Sequence, residues 1–125
     1  MRVQLEFKMA TDGVQTYHYH GFGILSENTL RFIDRDKDHY EFCFSDSKNI
    51  TMNRIGQSPL KMTFVKDTKS SASISQDGYS LLLEVLTTEL IVEKNRIDII
   101  YQITDGESIF SKHHLMMDWN HQWKE

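Results

Sequence analysis

The chain has 125 residues, with 14 Lys and Arg against 18 Asp and Glu and a formal net charge of −4. That length supports one domain, residues 1–125, with a single core. The scattered basic residues form no stripe for nucleic acid, and no unbroken apolar run is long enough for a membrane span or a signal-peptide core.

Val3, Leu5, Phe7 and Met9 alternate with Arg2, Gln4, Glu6 and Lys8, the pattern of a strand with one dry and one wet face. A first strand is expected at 2–9, ended by a turn at Asp12-Gly13. A second, at 14–25, is too long to stay flat, and Gly21 and Gly23 inside it mark a bend or a close backbone approach. Strands are expected next at 29–33, 39–44 and 49–55. The run Asp34-Arg35-Asp36-Lys37-Asp38 is expected as a solvated hairpin tip, and Ser45-Asp46-Ser47 as the following turn. Gly56 and Pro59 precede an alternating Leu60, Met62 and Phe64. Residues 69–75 are polar and are expected near a sheet edge, and Asp77-Gly78 is a strong hairpin signal.

Residues 79–92 break the alternation. Leu81, Leu82, Val85, Leu86, Glu89 and Leu90 fit helical spacing, with Ser80 as a cap. A long, bent strand that changes its buried face halfway also fits. Ile97, Ile99, Tyr101 and Ile103 then alternate cleanly, and Asp105-Gly106 turns the chain into a last strand at 108–119. With a strand at 79–92 as well, repeated alternation, short turns and inner glycines give an all-β chain: one antiparallel up-and-down sheet of roughly 8–10 strands closed into a barrel.

The segment Ile50 to Gly56, then Met62-Thr63-Phe64, then Leu81 to Leu90 resembles the YwiB-like, or DUF1934, family of small bacterial proteins. Its members carry Arg-x-Gly, then Met-x-Phe, then a strand shaped like Leu-x-Leu-x-Val-x-Thr-x-x-Leu. The chain departs where the family has Thr-Pro-Tyr-Gly and this sequence has Gln76-Asp77-Gly78-Tyr79; the segment from Asp34 to His39 is also shorter, as in a divergent member. The resemblance implies a calycin-like barrel, akin to lipocalins, and a strand rather than a helix at 79–92. It implies no established activity.

Arg54 shares a strand face with Ile50 and Met52, which points a guanidinium inward, where a charge needs a partner. Glu84 is the expected partner. As a functional group, Arg54 is a handle for an anionic ligand; structurally, it forms an internal ion pair or reaches water at a strand end. Tyr17 and Tyr19 share a face with Gly21 and Gly23, and either line a ligand cavity or pack the barrel with bonded hydroxyls.

His18 and His20 alternate on one strand and are candidate metal ligands, with His113 a third. No carboxylate or cysteine completes a ligand set at usable spacing, so no metal is expected. His18 and His20 then face solvent beside Phe22, and His113 is a hydrogen-bonded core residue. Cys43, the one cysteine, has no activating neighbours, allows no internal disulfide, and fits a reducing cytoplasm. No nucleophile elbow, P-loop or dinucleotide fingerprint is present, so no catalytic residue and no cofactor is expected. Trp119 and Trp123 flank His121 and are expected to cover a barrel end or meet a second subunit.

The leading expectation is a non-catalytic binding module for a small apolar or amphiphilic molecule, oriented by Arg54, Glu84, Tyr17 and Tyr19. The second is a protein-interaction or structural module, such as a homodimer through an outer sheet face or the tryptophan tail. A histidine-based metal-dependent enzyme comes last.

Overall fold

The computed structural model describes residues 1–46, 48–104 and 108–121. The turn residue Ser47, the Asp105-Gly106 turn and Trp123 lie outside the described residues. The strands are β1 (Arg2–Thr11), β2 (Val14–Ser26), β3 (Thr29–Ile33), β4 (His39–Asp46), β5 (Asn49–Ile55), β6 (Leu60–Val65), β7 (Thr68–Gln76), β8 (Tyr79–Glu93), β9 (Arg96–Thr104) and β10 (Ile109–His121). Each pairs antiparallel with its neighbours in sequence, and β1 pairs with β10, so the meander closes into a barrel. Among the described residues no helix is long and apolar enough to cross a membrane.

Alternation decides what fills the barrel. Val3, Leu5 and Phe7 of β1, Phe42 of β4, Ile50 and Met52 of β5, and Ile97, Ile99 and Tyr101 of β9 point inward and are almost wholly buried. Fully burying each large apolar side chain is worth about 1.5–3 kcal/mol. Phe7 sits amid aromatic rings, within 5.4–5.8 Å of Tyr17, Phe32, Tyr40 and Phe42. Trp119 is buried as well, 5.5 Å from Phe44, so it belongs to the core and not to a protruding tail. The outer face instead carries charge pairs such as Arg31–Glu41 and Lys69–Glu84.

The Asp12-Gly13 and Asp77-Gly78 turns have positive φ at both central residues: 51° and 86° in the first, 52° and 81° in the second. This is the type I′ geometry that matches strand twist and favours Asp-Gly.

Residues 79–93 form a single strand, settling the choice between helix and strand. Thr87 pairs with Tyr101 and Glu89 with Ile100, leaving Thr88 as the extra residue of a bulge. Thr88 Oγ1 donates to the Ile100 carbonyl at 3.2 Å. Val85 and Thr87 point inward before the bulge and Leu90 after it, so the strand does change its buried face halfway.

Strand β7 is not at an edge, contrary to expectation, because a closed barrel has no free side there. It pairs with β6 at Leu60↔Ile74, Lys61↔Ser73 and Met62↔Ala72, and with β8 along its whole length. Near the β6–β7 turn the ladder stops, and the Ser70 hydroxyl donates to the Thr63 carbonyl across the gap. Its polar residues therefore reflect an outward face and a side-chain bridge.

A second thin junction lies between β2 and β3, joined only at Ile24↔Arg31, Leu25↔Leu30 and Ser26↔Thr29. Beyond Ile24 the two strands part, and side chains hold them together.

Candidate functional site

The parting of β2 and β3 gathers most of the polar chemistry at one end of the barrel. Tyr17, inward on β2, donates its hydroxyl to Asp34 Oδ2 at 2.6 Å. Asp34 is buried, contrary to the expected solvated tip. It continues the inward parity of Leu30 and Phe32, and its Oδ1 accepts the backbone N–H groups of Asp36 at 2.9 Å and Asp38 at 3.0 Å. The carboxylate therefore pins the β3–β4 turn from inside.

Tyr40 of β4 sits opposite Arg54 of β5 in register, and its ring centroid lies 6.1 Å from that of Tyr17. Arg54 donates from Nε and Nη2 to the Ser58 carbonyl, at 3.2 and 2.8 Å. Burial raises the pKa of Tyr17, and its bond to Asp34 raises it further. Burial also raises that of Tyr40, opposed by the neighbouring Tyr17 hydroxyl and Arg54 guanidinium. Both phenols stay neutral, and the Tyr17–Asp34 bond braces β2 against the β3–β4 turn.

Arg54 and Tyr17 are thus brought together, but Glu84 is not with them. Glu84 lies on the outward parity of β8, its carboxylate 3.8 Å from Lys69 Nζ. The expected internal Arg54–Glu84 pair is replaced by the Ser58 carbonyl, because an inward arginine near a strand end is satisfied by a neighbouring turn carbonyl.

Tyr19 stacks on Phe32 with ring centroids 4.7 Å apart, and its hydroxyl donates to the Phe22 carbonyl at 3.0 Å. A Cβ on Gly21 would lie 2.5 Å from that hydroxyl oxygen, and one on Gly23 would lie 2.4 Å from Leu5 Cδ2 and 2.9 Å from the Arg31 carbonyl. The space the glycines leave is therefore taken by the protein's own side chains and backbone.

His18 and His20 face outward, and His18 Nε2 is 2.8 Å from Glu6 Oε2. That bond lowers the Glu6 pKa. His113 faces inward, stacked on Tyr101 at 4.9 Å, with Thr11 Oγ1 3.1 Å from Nδ1 and Ser111 Oγ 2.6 Å from Nε2. Burial lowers its pKa, opposed by Asp12. The three histidines are not brought together, and among the described residues no group of three or more His, Cys, Asp or Glu is placed to hold a metal ion.

An apolar groove of about 570 Å³ runs along the outside of the β2–β3 junction. Phe22 and Ile24 of β2, Ile33 of β3 and Ile55 of β5 line it, all substantially exposed, and Phe32 and Tyr40 form its floor. The Arg2 guanidinium lies over the Phe22 ring at 4.2 Å and borders the groove. Among the described residues Arg2 has no carboxylate partner, whereas Arg31 on the same groove is paired with Glu41 at 2.7 Å. Asp34, Tyr40 and the groove were not singled out from the sequence. Their signals were Asp34 at inward parity, and Phe22, Ile24, Ile33 and Ile55 at parities where a water-facing sheet carries polar residues.

A family model described as "Domain of unknown function (DUF1934)" matches residues 3–117. Among solved structures, the chain is similar to the crystal structure of the ywiB protein from Bacillus subtilis, with a TM-score of 0.71 and 16% identity over 98% of this chain and 92% of that one. At that identity the likeness shows the fold. No curated protein matches.

Proposed function

The chain belongs to the DUF1934 family, and from that membership and the geometry of the β2–β3 junction we propose a non-catalytic binding protein for a small amphiphile with an anionic head. The apolar body lies along Phe22, Ile24, Ile33 and Ile55, and a carboxylate or sulfonate head meets Arg2. The observation that carries this reading is the convergence of four exposed apolar side chains and an unpaired guanidinium on one groove. Its volume, about 570 Å³, falls in the range of small-molecule sites.

Three points support a groove site over an interior one. The interior is occupied by one continuous cluster of buried side chains. Arg54, the handle expected from the sequence, donates from both Nε and Nη2 to the Ser58 carbonyl. Tyr17 and Tyr19 are tied to Asp34 and to the Phe22 carbonyl, and the smaller opening beside them, about 290 Å³, is lined also by Asp34, Arg35 and Asp36 and offers little apolar surface. In this reading the barrel is of the calycin and lipocalin type in architecture but carries its ligand on the outside. Its setting is the bacterial cytoplasm, in keeping with the free thiol of Cys43.

Titration with anilinonaphthalene sulfonate tests it, since the probe has an apolar body and an anionic group. Saturable, blue-shifted emission is expected. Ile33→Glu and Arg2→Glu each weaken binding about tenfold or more, while the interior change Met52→Leu leaves it unchanged. Equal binding by the wild type and Ile33→Glu, or no saturation, overturns the proposal.

A further inference from the structure

The barrel is closed, yet one stretch of strand has a side with no neighbour. Tyr79 to Leu83 pair with Gln76 to Ala72 of β7, but the β8–β9 ladder begins only at Glu84↔Thr104. Among the described residues no strand lies along the other side of 79–83, so the β7–β8 hairpin stands out past the barrel wall with a row of backbone donors and acceptors. Tyr79, Leu81 and Leu82 are 80%, 57% and 74% exposed. Ile109 and Phe110, two strands over at the same end, are also exposed. Exposed edges are ordinarily blunted by lysine, proline or a bulge. The sequence Tyr-Ser-Leu-Leu-Leu at 79–83 has none of these residues, and the bulge of β8 lies further on, at Thr88.

We propose that this edge pairs with the same edge of a second copy, as an antiparallel two-fold dimer centred on Leu81. The open backbone groups call for a strand, and the chain's own strand suits them. Pairing about Leu81 sets Tyr79 opposite Leu83, and Ser80 opposite Leu82. Glu84 and Val85 keep their own partners Thr104 and Ile103, so the new pairing spans Tyr79 to Leu83 and brings no like charges together. Leucines exposed on both faces of the hairpin become cross-strand neighbours. The two-fold uses the same edge on both partners, so the assembly closes at two copies and does not grow. The β2–β3 groove lies on other strands, so this dimer neither needs nor blocks ligand binding.

Sedimentation velocity over a wide concentration series tests this, using the wild type, L81K, L81E and an equimolar mixture of the two variants. The wild type is expected to dimerise reversibly. L81K places two ammonium groups against each other on the two-fold, and L81E two carboxylates, so each raises the dimer dissociation constant at least about tenfold. The mixture recovers dimer, which also shows that both variants are folded. In a Cys43→Ser background, Leu81→Cys forms an intermolecular disulfide under mild oxidation. A wild type that stays monomeric at the highest concentration overturns the proposal, as do L81K and L81E variants that each dimerise like the wild type.

Discussion

At the scale of single residues, the polar brace behind the groove is where chemistry was least legible. Arg54 stood out because an arginine replaced an apolar residue on an inward face. Asp34 did not, because it begins a run of charged residues, and such runs are ordinarily solvated. Only its parity with Leu30 and Phe32 marked it as buried. The brace makes a graded prediction. Tyr17→Phe removes the donor to a buried carboxylate oxygen and is expected to cost about 1–3 kcal/mol in urea unfolding. Tyr19→Phe removes a bond to an exposed carbonyl and is expected to cost less, about 0.5–1.5 kcal/mol. Equal losses would show that the buried Tyr17–Asp34 bond carries no special weight.

His113 supplies a pH prediction at the same scale. Its folded pKa is held below the ordinary value of 6.5 by burial. As pH falls past 6.5 the unfolded chain takes up this proton first, so the unfolded state binds more protons and stability drops. The drop ends once the folded imidazole also protonates. Urea midpoints followed downward from pH 8 should therefore decline, and His113→Gln should flatten the decline whatever its own midpoint. An unchanged slope would remove His113 as the cause.

At the scale of elements, the sequence showed nearly every strand by alternation, and its one ambiguity has a specific origin. Val85, Thr87, Leu90 and Val92 share the inward side of β8, a spacing of two, three and two residues. Intervals of three and seven also belong to a helix, so a bulged strand and an amphipathic helix give the same apolar pattern. Only the pairing of Thr87 and Glu89 with successive residues of β9 separates them. It follows that deleting Thr88 removes the extra residue and leaves the register of both halves intact. That variant should retain the far-ultraviolet spectrum of the barrel, with a lower melting temperature. Deleting Ile100, in the regular stretch of the β9–β10 ladder between Ser111↔Ile103 and Asp118↔Arg96, turns half of β9 inside out and should abolish folding. Equal tolerance of the two deletions would contradict the assigned bulge.

At the scale of the whole molecule, alternation and tight turns foretold a closed barrel but not whether it was hollow. Interior volume depends on how side chains from ten strands meet, and that is set by registers no local pattern encodes. Here Phe7, Tyr17, Phe32, Tyr40 and Phe42 converge, and the barrel is filled. The opening that offers an apolar lining is the outer groove where β2 and β3 part. Isoleucine methyl groups report on both regions, with Ile24, Ile33 and Ile55 on the groove and Ile50, Ile97 and Ile99 in the core. A methyl-resolved NMR titration with an anionic amphiphile therefore tests the claim directly. Saturable shifts confined to Ile24, Ile33 and Ile55 are predicted. Shifts largest at Ile50, Ile97 and Ile99 would place the ligand inside the barrel and contradict it.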